Sequence, residues 1–174
     1  MAHNVQGTDT ELERPAATQT SVAHCPRSNA ALGSGIFPMR RHLAAGVHVA
    51  LGTDVGGGSG FGMLKEALQA YLMQRVAPEG APLNPAQLLY LSTRAGAEAL
   101  GLADVTGDLD AGRSADFVYI RPDPDSPLAG ALARAENMEQ ALAAIITMGG
   151  ADSIQEVRVG GSAVFRKHHA DSRQ

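Results

Sequence analysis

Short apolar runs alternate along the chain with polar, glycine-rich stretches, and the apolar spacing changes from continuous to helical and back. Ser21-Val22-Ala23-His24-Cys25 is one such run, closed by Pro26; Val47-His48-Val49-Ala50-Leu51-Gly52 is a second, ending in Thr53-Asp54. Continuous runs of this length, bounded by turn residues, predict buried strands. Between them, residues 33–35 predict a loop and residues 39–45 a short helix. Ahead of them, Thr8 and Glu11 have the spacing of a capping box. Pro15 then falls where that helix should continue, and should either cost it about 3 kcal/mol or end it.

Met63, Leu64, Ala67, Leu68, Tyr71 and Leu72 recur at helical spacing and predict one apolar face. Asn84-Pro85 predicts a helix start, with Leu88, Leu91, Ala95 and Ala99 as its stripe and Gly101 as its stop. Residues 116–120 predict a strand. Leu128, Leu132, Ala135, Met138, Leu142 and Ile145 predict one further helix. Val157 and Val159, then Ala163 and Phe165, alternate about Gly160-Gly161, the pattern of a hairpin.

Composition narrows the picture. A chain of 174 residues fits one domain, or a piece of a larger one. Fourteen Lys and Arg against 18 Asp and Glu disfavour nucleic acid as a partner, and the absence of Trp removes a common stacking platform. With 44% hydrophobic and 18% charged residues, the chain can build a core and does not read as disordered. Its apolar runs fall short of the roughly 18–20 residues that span a bilayer, so no membrane is expected. The start lacks a secretory pattern, which makes the cytoplasm the expected compartment. A single cysteine, Cys25, excludes an internal disulfide and a cysteine zinc cluster.

Candidate chemistry gathers at strand ends. His3, His24 and Asp54 each precede a loop, and parallel strands place such residues on one rim. A lone strand-end histidine is more often structural, and Asp54 could simply cap its turn. The glycine run after Asp54 does not fit phosphate: no Lys-Ser/Thr pair follows it, and the acid ahead of it repels an anion. Cys25 reads as an inert core thiol, His42 and His48 as structural, and His168-His169 as solvated. The residues alone name no reaction.

Three segments carry a resemblance: Met1-Ala2-His3-Asn4, Val22-Ala23-His24-Cys25-Pro26-Arg27-Ser28-Asn29, and Leu51-Gly52-Thr53-Asp54-Val55-Gly56-Gly57-Gly58. Together they resemble the C-terminal part of the metal-dependent amidohydrolases, in the deaminase and chlorohydrolase branch. The stretch from Val55 to Met63 is more similar to the guanine deaminases than to their sister groups. Downstream, Gly107-Asp108-Leu109 and Gly112-Arg113-Ser114-Ala115-Asp116-Phe117 resemble the family's return into a small β-domain. The likeness runs over about residues 1–166. Gly62 departs from it, standing where the guanine deaminases usually have Ser, and so does Pro15. The family's His-x-His and His-x-x-Glu metal motifs are absent.

The resemblance implies an α/β fold: the last three strand–helix units of a (β/α)8 barrel plus part of the flanking β-domain. Residues 1–105 would be partial barrel, 106–122 and 154–166 β-domain strands, 123–153 a connecting helical segment, and 167–174 a polar tail. It implies zinc as cofactor, with Asp54 as metal ligand and proton acceptor. His3 would act on the metal-bound water, and His24 would not be a ligand. The implied reaction is hydrolytic deamination of guanine, or of a related small heterocycle, by a protein that is homodimeric when complete. The rivals are another amidohydrolase (a nucleoside deaminase or a chlorohydrolase) and a non-catalytic remnant that associates with another chain. With one matched ligand, the chain is expected to be truncated and inactive by itself.

Overall fold

The computed structural model describes residues 1–167. The first half of the chain runs through α1 (Asp9–Ala17), β1 (Val22–His24), α2 (Pro26–Ala31), α3 (Met39–Ala44), β2 (Val49–Leu51) and α4 (Met63–Val76). The second half adds α5 (Pro85–Ser92), α6 (Arg94–Ala99), β3 (Phe117–Ile120), α7 (Pro127–Ala133), α8 (Met138–Met148), β4 (Ile154–Val159) and β5 (Ser162–Arg166).

The apolar runs become two parallel strands, paired in the register Val22↔Val49, Ala23↔Ala50 and His24↔Leu51. The segment before His3 joins them only through a single parallel bridge, Ala2↔Ala23. His3 N–H donates to the Ala23 carbonyl at 3.0 Å, and Ala23 N–H donates to that of Met1 at 2.9 Å. Helices cover this sheet; Val22, Phe37, Val49, Ala67, Leu88 and Ile146 are among the buried residues of its core. β3, β4 and β5 form a separate antiparallel sheet in chain order. Its β4–β5 hairpin turns at Gly160 and Gly161, whose φ values of +57° and +77° glycine adopts without strain.

Three helix expectations need correcting. α1 does not stop at Pro15. Its first turn is held by the reciprocal Thr8–Glu11 capping box, and the Pro15 ring is buried beside Leu12. The helix expected between Asn84 and Gly101 is two helices, broken at Thr93 (φ −134°, ψ −89°). There the Ser92 and Thr93 hydroxyls donate to the Leu88 and Leu89 carbonyls, so the end of α5 has side-chain partners. The helix expected over Leu128 to Ile145 is also two. Ser126 caps α7 and Asn137 caps α8, each side chain accepting a backbone N–H one turn on. The capping residue Asn137 restarts the helix between two halves of what reads as one stripe. His168-His169 lie outside the described residues.

Among the described residues no helix is long and apolar enough to cross a membrane. A buried column ties the core to the β1 end. Phe37 stacks on His24 with ring centroids 4.6 Å apart and packs against His42 at 4.2 Å. Gln74, also buried, donates to the Phe37 carbonyl and accepts from Ala81 N–H. Truncating Phe37 to Ala should cost about 3–5 kcal/mol, as large buried aromatics generally do. Urea denaturation of the two proteins would show this as a lower midpoint.

Candidate active site

Strand pairing decides which residues meet. Because Ala2 pairs beside Ala23, and β1 lies parallel to β2, His3, His24 and Asp54 leave the sheet at the same end. His3 and Asp54 converge there, His3 Nε2 lying 3.6 Å from Asp54 Oδ2. Both side chains are about one-third exposed, at 38% and 32%. His3, Asn4 and Asp54 all have left-handed backbone, with φ of +63°, +47° and +51°. Non-glycine residues rarely hold that conformation unless their surroundings enforce it.

The enforcing contacts come from α2. Ser28 Oγ donates to Asp54 Oδ2 at 2.6 Å, and His3 Nδ1 lies 2.9 Å from Asn29 Oδ1. Both α2 residues are buried. Asn4 Nδ2 lies 2.9 Å from Nε2 of the buried His42, whose Nδ1 faces the Pro38 carbonyl. The glycine loop is closely packed at this point: a Cβ on Gly57 would sit 2.6 Å from Asp54 Oδ2. Glycine there lets the backbone close over the carboxylate. Arg27 pins the same loop, its guanidinium donating to the Ser59 carbonyl.

Glu66 completes this shell. It is fully buried, accepts from the Arg27 backbone N–H at 3.2 Å, and has Oε1 without a hydrogen-bond partner. Burial holds its carboxyl above the usual range, against the opposing pull of Arg27. The sequence alone assigns no role to Ser28, Asn29 or Glu66. Glu66 carries a visible signal, since it falls on the apolar face of α4 between Met63 and Ala70. Ser28 and Asn29 carry none in their spacing.

His24 is near the pair but does not join it. Burial first, then the neighbouring histidines, pushes its pKa down to about 3, so it is a neutral core imidazole at pH 7. Burial likewise pushes the Cys25 thiol up to about 11, which leaves it inert. A cavity of about 700 Å³ borders His3, Asn4, Glu11 and Arg14 but does not reach Asp54.

Carboxylate and imidazole are both zinc donors. Among the described residues, however, no group of three or more His, Cys, Asp or Glu is placed to hold a metal ion. The Asp54 carboxylate fits one position of a catalytic zinc shell, which generally takes about three protein ligands.

The parallel strands and the loops at their shared end suit part of an amidohydrolase barrel. The chain belongs to the amidohydrolase family, whose profile matches residues 1–164. It is 58% identical to the probable guanine deaminase of Deinococcus radiodurans, over 95% of this chain and 38% of that protein. The solved structure of the Escherichia coli guanine deaminase superposes with a TM-score of 0.89 at 33% identity, covering 96% of this chain and 39% of that one. A zinc-bound adenosine deaminase from Xanthomonas campestris follows at a TM-score of 0.77 and 30% identity, over 93% and 36%. The chain thus spans under two-fifths of each of these relatives, and its fold is a partial α/β amidohydrolase fold.

The buried His24 makes the stability pH-dependent. Its folded pKa of about 3 lies below the ordinary 6.5, so the unfolded chain binds the proton more tightly. Stability should fall as pH drops from about 6.5 toward about 3, by at most about 1.4 kcal/mol per pH unit from this group. His24→Phe keeps a ring to stack on Phe37 and should flatten that slope. Denaturation midpoints measured across the window check it.

Proposed function

We propose that these residues serve a zinc-dependent deaminase that converts guanine and water to xanthine and ammonia. The observation that carries the reading is the convergence of His3 and Asp54 on one rim, 3.6 Å apart, from positions far apart in the chain. The relatives named guanine deaminase supply the substrate. In this reading residues 1–105 are partial barrel, 106–122 and 154–166 belong to a flanking β-domain, and 123–153 connect them. The complete protein would be a cytoplasmic homodimer.

Asp54 would hold zinc as one of its ligands; zinc, when bound, supplies water activated near neutral pH. Further ligands would come from outside the described residues. Asp54 Oδ2 is already engaged by Ser28, which leaves Oδ1 as the oxygen available to a metal. The carboxylate would also take the proton that the attacking water gives up. His3 presents Nε2 beside it, where the neutral ring would accept a hydrogen bond from the attacking water and, once protonated at Nε2, would stabilise charge developing on oxygen as the amidine carbon becomes tetrahedral. Arg27, by fixing the Ser59 carbonyl, would hold the glycine loop steady beside both groups.

A chimera tests the proposal: the preceding portion of the Deinococcus relative joined to residues 1–174. It should convert guanine to xanthine, followed by ultraviolet absorbance, and should prefer guanine over adenosine by kcat/KM. Asp54→Ala should remove both zinc and activity. His3→Ala should keep zinc but lower turnover by about 100-fold or more, as loss of an oxyanion-stabilising group generally does. The 174-residue chain alone should be inactive. Full activity of the Asp54→Ala chimera would reject the site, and a preference for adenosine would reject the substrate.

A further inference from the structure

Two consecutive buried residues on α2 each grip a different member of the rim pair. Ser28 is 0% exposed and Asn29 is 2% exposed, and neither side chain faces solvent. Ser28 reaches Asp54 Oδ2 at 2.6 Å, while Asn29 Oδ1 meets His3 Nδ1 at 2.9 Å. Their two targets are partly exposed residues whose backbone is left-handed, at φ +63° for His3 and +51° for Asp54. Neither target sits in a regular element that would hold it in place.

We propose that Ser28 and Asn29 are positioning residues, and that Asn29 selects the tautomer of His3. A carbonyl oxygen accepts but cannot donate, so the ring nitrogen facing Asn29 Oδ1 carries the proton. In the neutral imidazole the other nitrogen, Nε2, is then the acceptor, and it is Nε2 that lies toward Asp54. Ser28 acts in parallel on the carboxylate. By donating to Oδ2 it fixes the rotation of Asp54 and leaves Oδ1 free.

The two contacts explain why a six-residue helix without a side-chain N-cap is placed at this rim. Pro26 begins α2 at its first position, and Arg27 fastens it through its backbone N–H to the buried Glu66. The next two residues are thereby presented side by side beneath the pair. Roles of this kind in metal sites generally change metal affinity or activity about 10–100-fold when removed.

The inference rests on the deaminase reading for its catalytic meaning, but its geometry can be tested without activity. Long-range ¹H–¹⁵N correlation spectra of the ¹⁵N-labelled 174-residue chain, at a pH where His3 is neutral, report which ring nitrogen is protonated. The expected result is Nδ1–H in the parent chain, loss of that preference in Asn29→Ala, and its recovery in Asn29→Asp, which still offers an acceptor. Nε2–H in the parent chain would mean that the Asn29 amide donates to the ring instead, and would overturn the assignment. Thermal midpoints of the same samples identify any variant that fails through unfolding, and Asn29→Asp then decides.

In the chimera, Ser28→Ala should lower zinc affinity about 10-fold or more, and Ser28→Thr, which keeps the hydroxyl, should restore it. Asn29→Ala should lower kcat with KM little changed. Unchanged zinc affinity in Ser28→Ala, together with unchanged kcat in Asn29→Ala, would overturn the positioning roles. An inactive parent chimera showing Nδ1–H on His3 would reject the deaminase reading and leave the tautomer assignment standing.

Discussion

Three residues of β1 and three of β2 share one parallel register, and that alignment sets where every group at the rim can go. A parallel pair brings both strands to the same end of the sheet, so loops far apart in the chain open side by side. His3 follows a bridge to Ala23, and Asp54 follows Leu51, the partner of His24. A slip of one residue in either pairing would turn these side chains to the other face. All three residues of β2 are buried, so such a slip would have to repack both covered faces of the strand.

Above that sheet, three successive residues in the first turn of α2 make four connections. Arg27 binds the loop carbonyl of Ser59 and the carboxylate of Glu66; Ser28 binds Asp54; Asn29 binds His3. The rim is stiff because each connection comes from a different part of one short rigid element. The buried carboxyl of Glu66 has an incomplete set of hydrogen bonds, and its pairing with Arg27 runs against its desolvation. Such a group is retained against an energetic cost. Here it anchors the helix that holds the other two residues.

The strands, the hairpin at Gly160-Gly161 and the capped helix starts at Thr8 and Asn84 were legible in the sequence, because each rests on local pattern or turn chemistry. The helix breaks were not. The stripe from Leu88 to Ala99 continues unbroken through Thr93, and the hydroxyl contacts that end α5 leave no mark on periodicity. Pro15 misled in the opposite sense, since its burial in α1 depends on tertiary packing that a local rule omits. At the site, strand-end position pointed to His3 and Asp54. It could not point to Ser28 and Asn29, whose contacts depend on where α2 lies against two loops.

Those two contacts have the same span. His3 to Asn29 and Ser28 to Asp54 are each separated by 26 residues, one reaching back along the chain and one forward. In kinetic terms α2 is the midpoint of two closures of equal length, so chain entropy gives neither a head start. The left-handed residues at the far ends cannot be held by their neighbours before those closures form. Order at the rim therefore arrives late, as the last consequence of the long-range contacts rather than a seed for them. A chain whose α2 has come undocked would keep much of its helix yet hold neither His3 nor Asp54 in place, so competence at this rim reports on the folding of the whole segment between them.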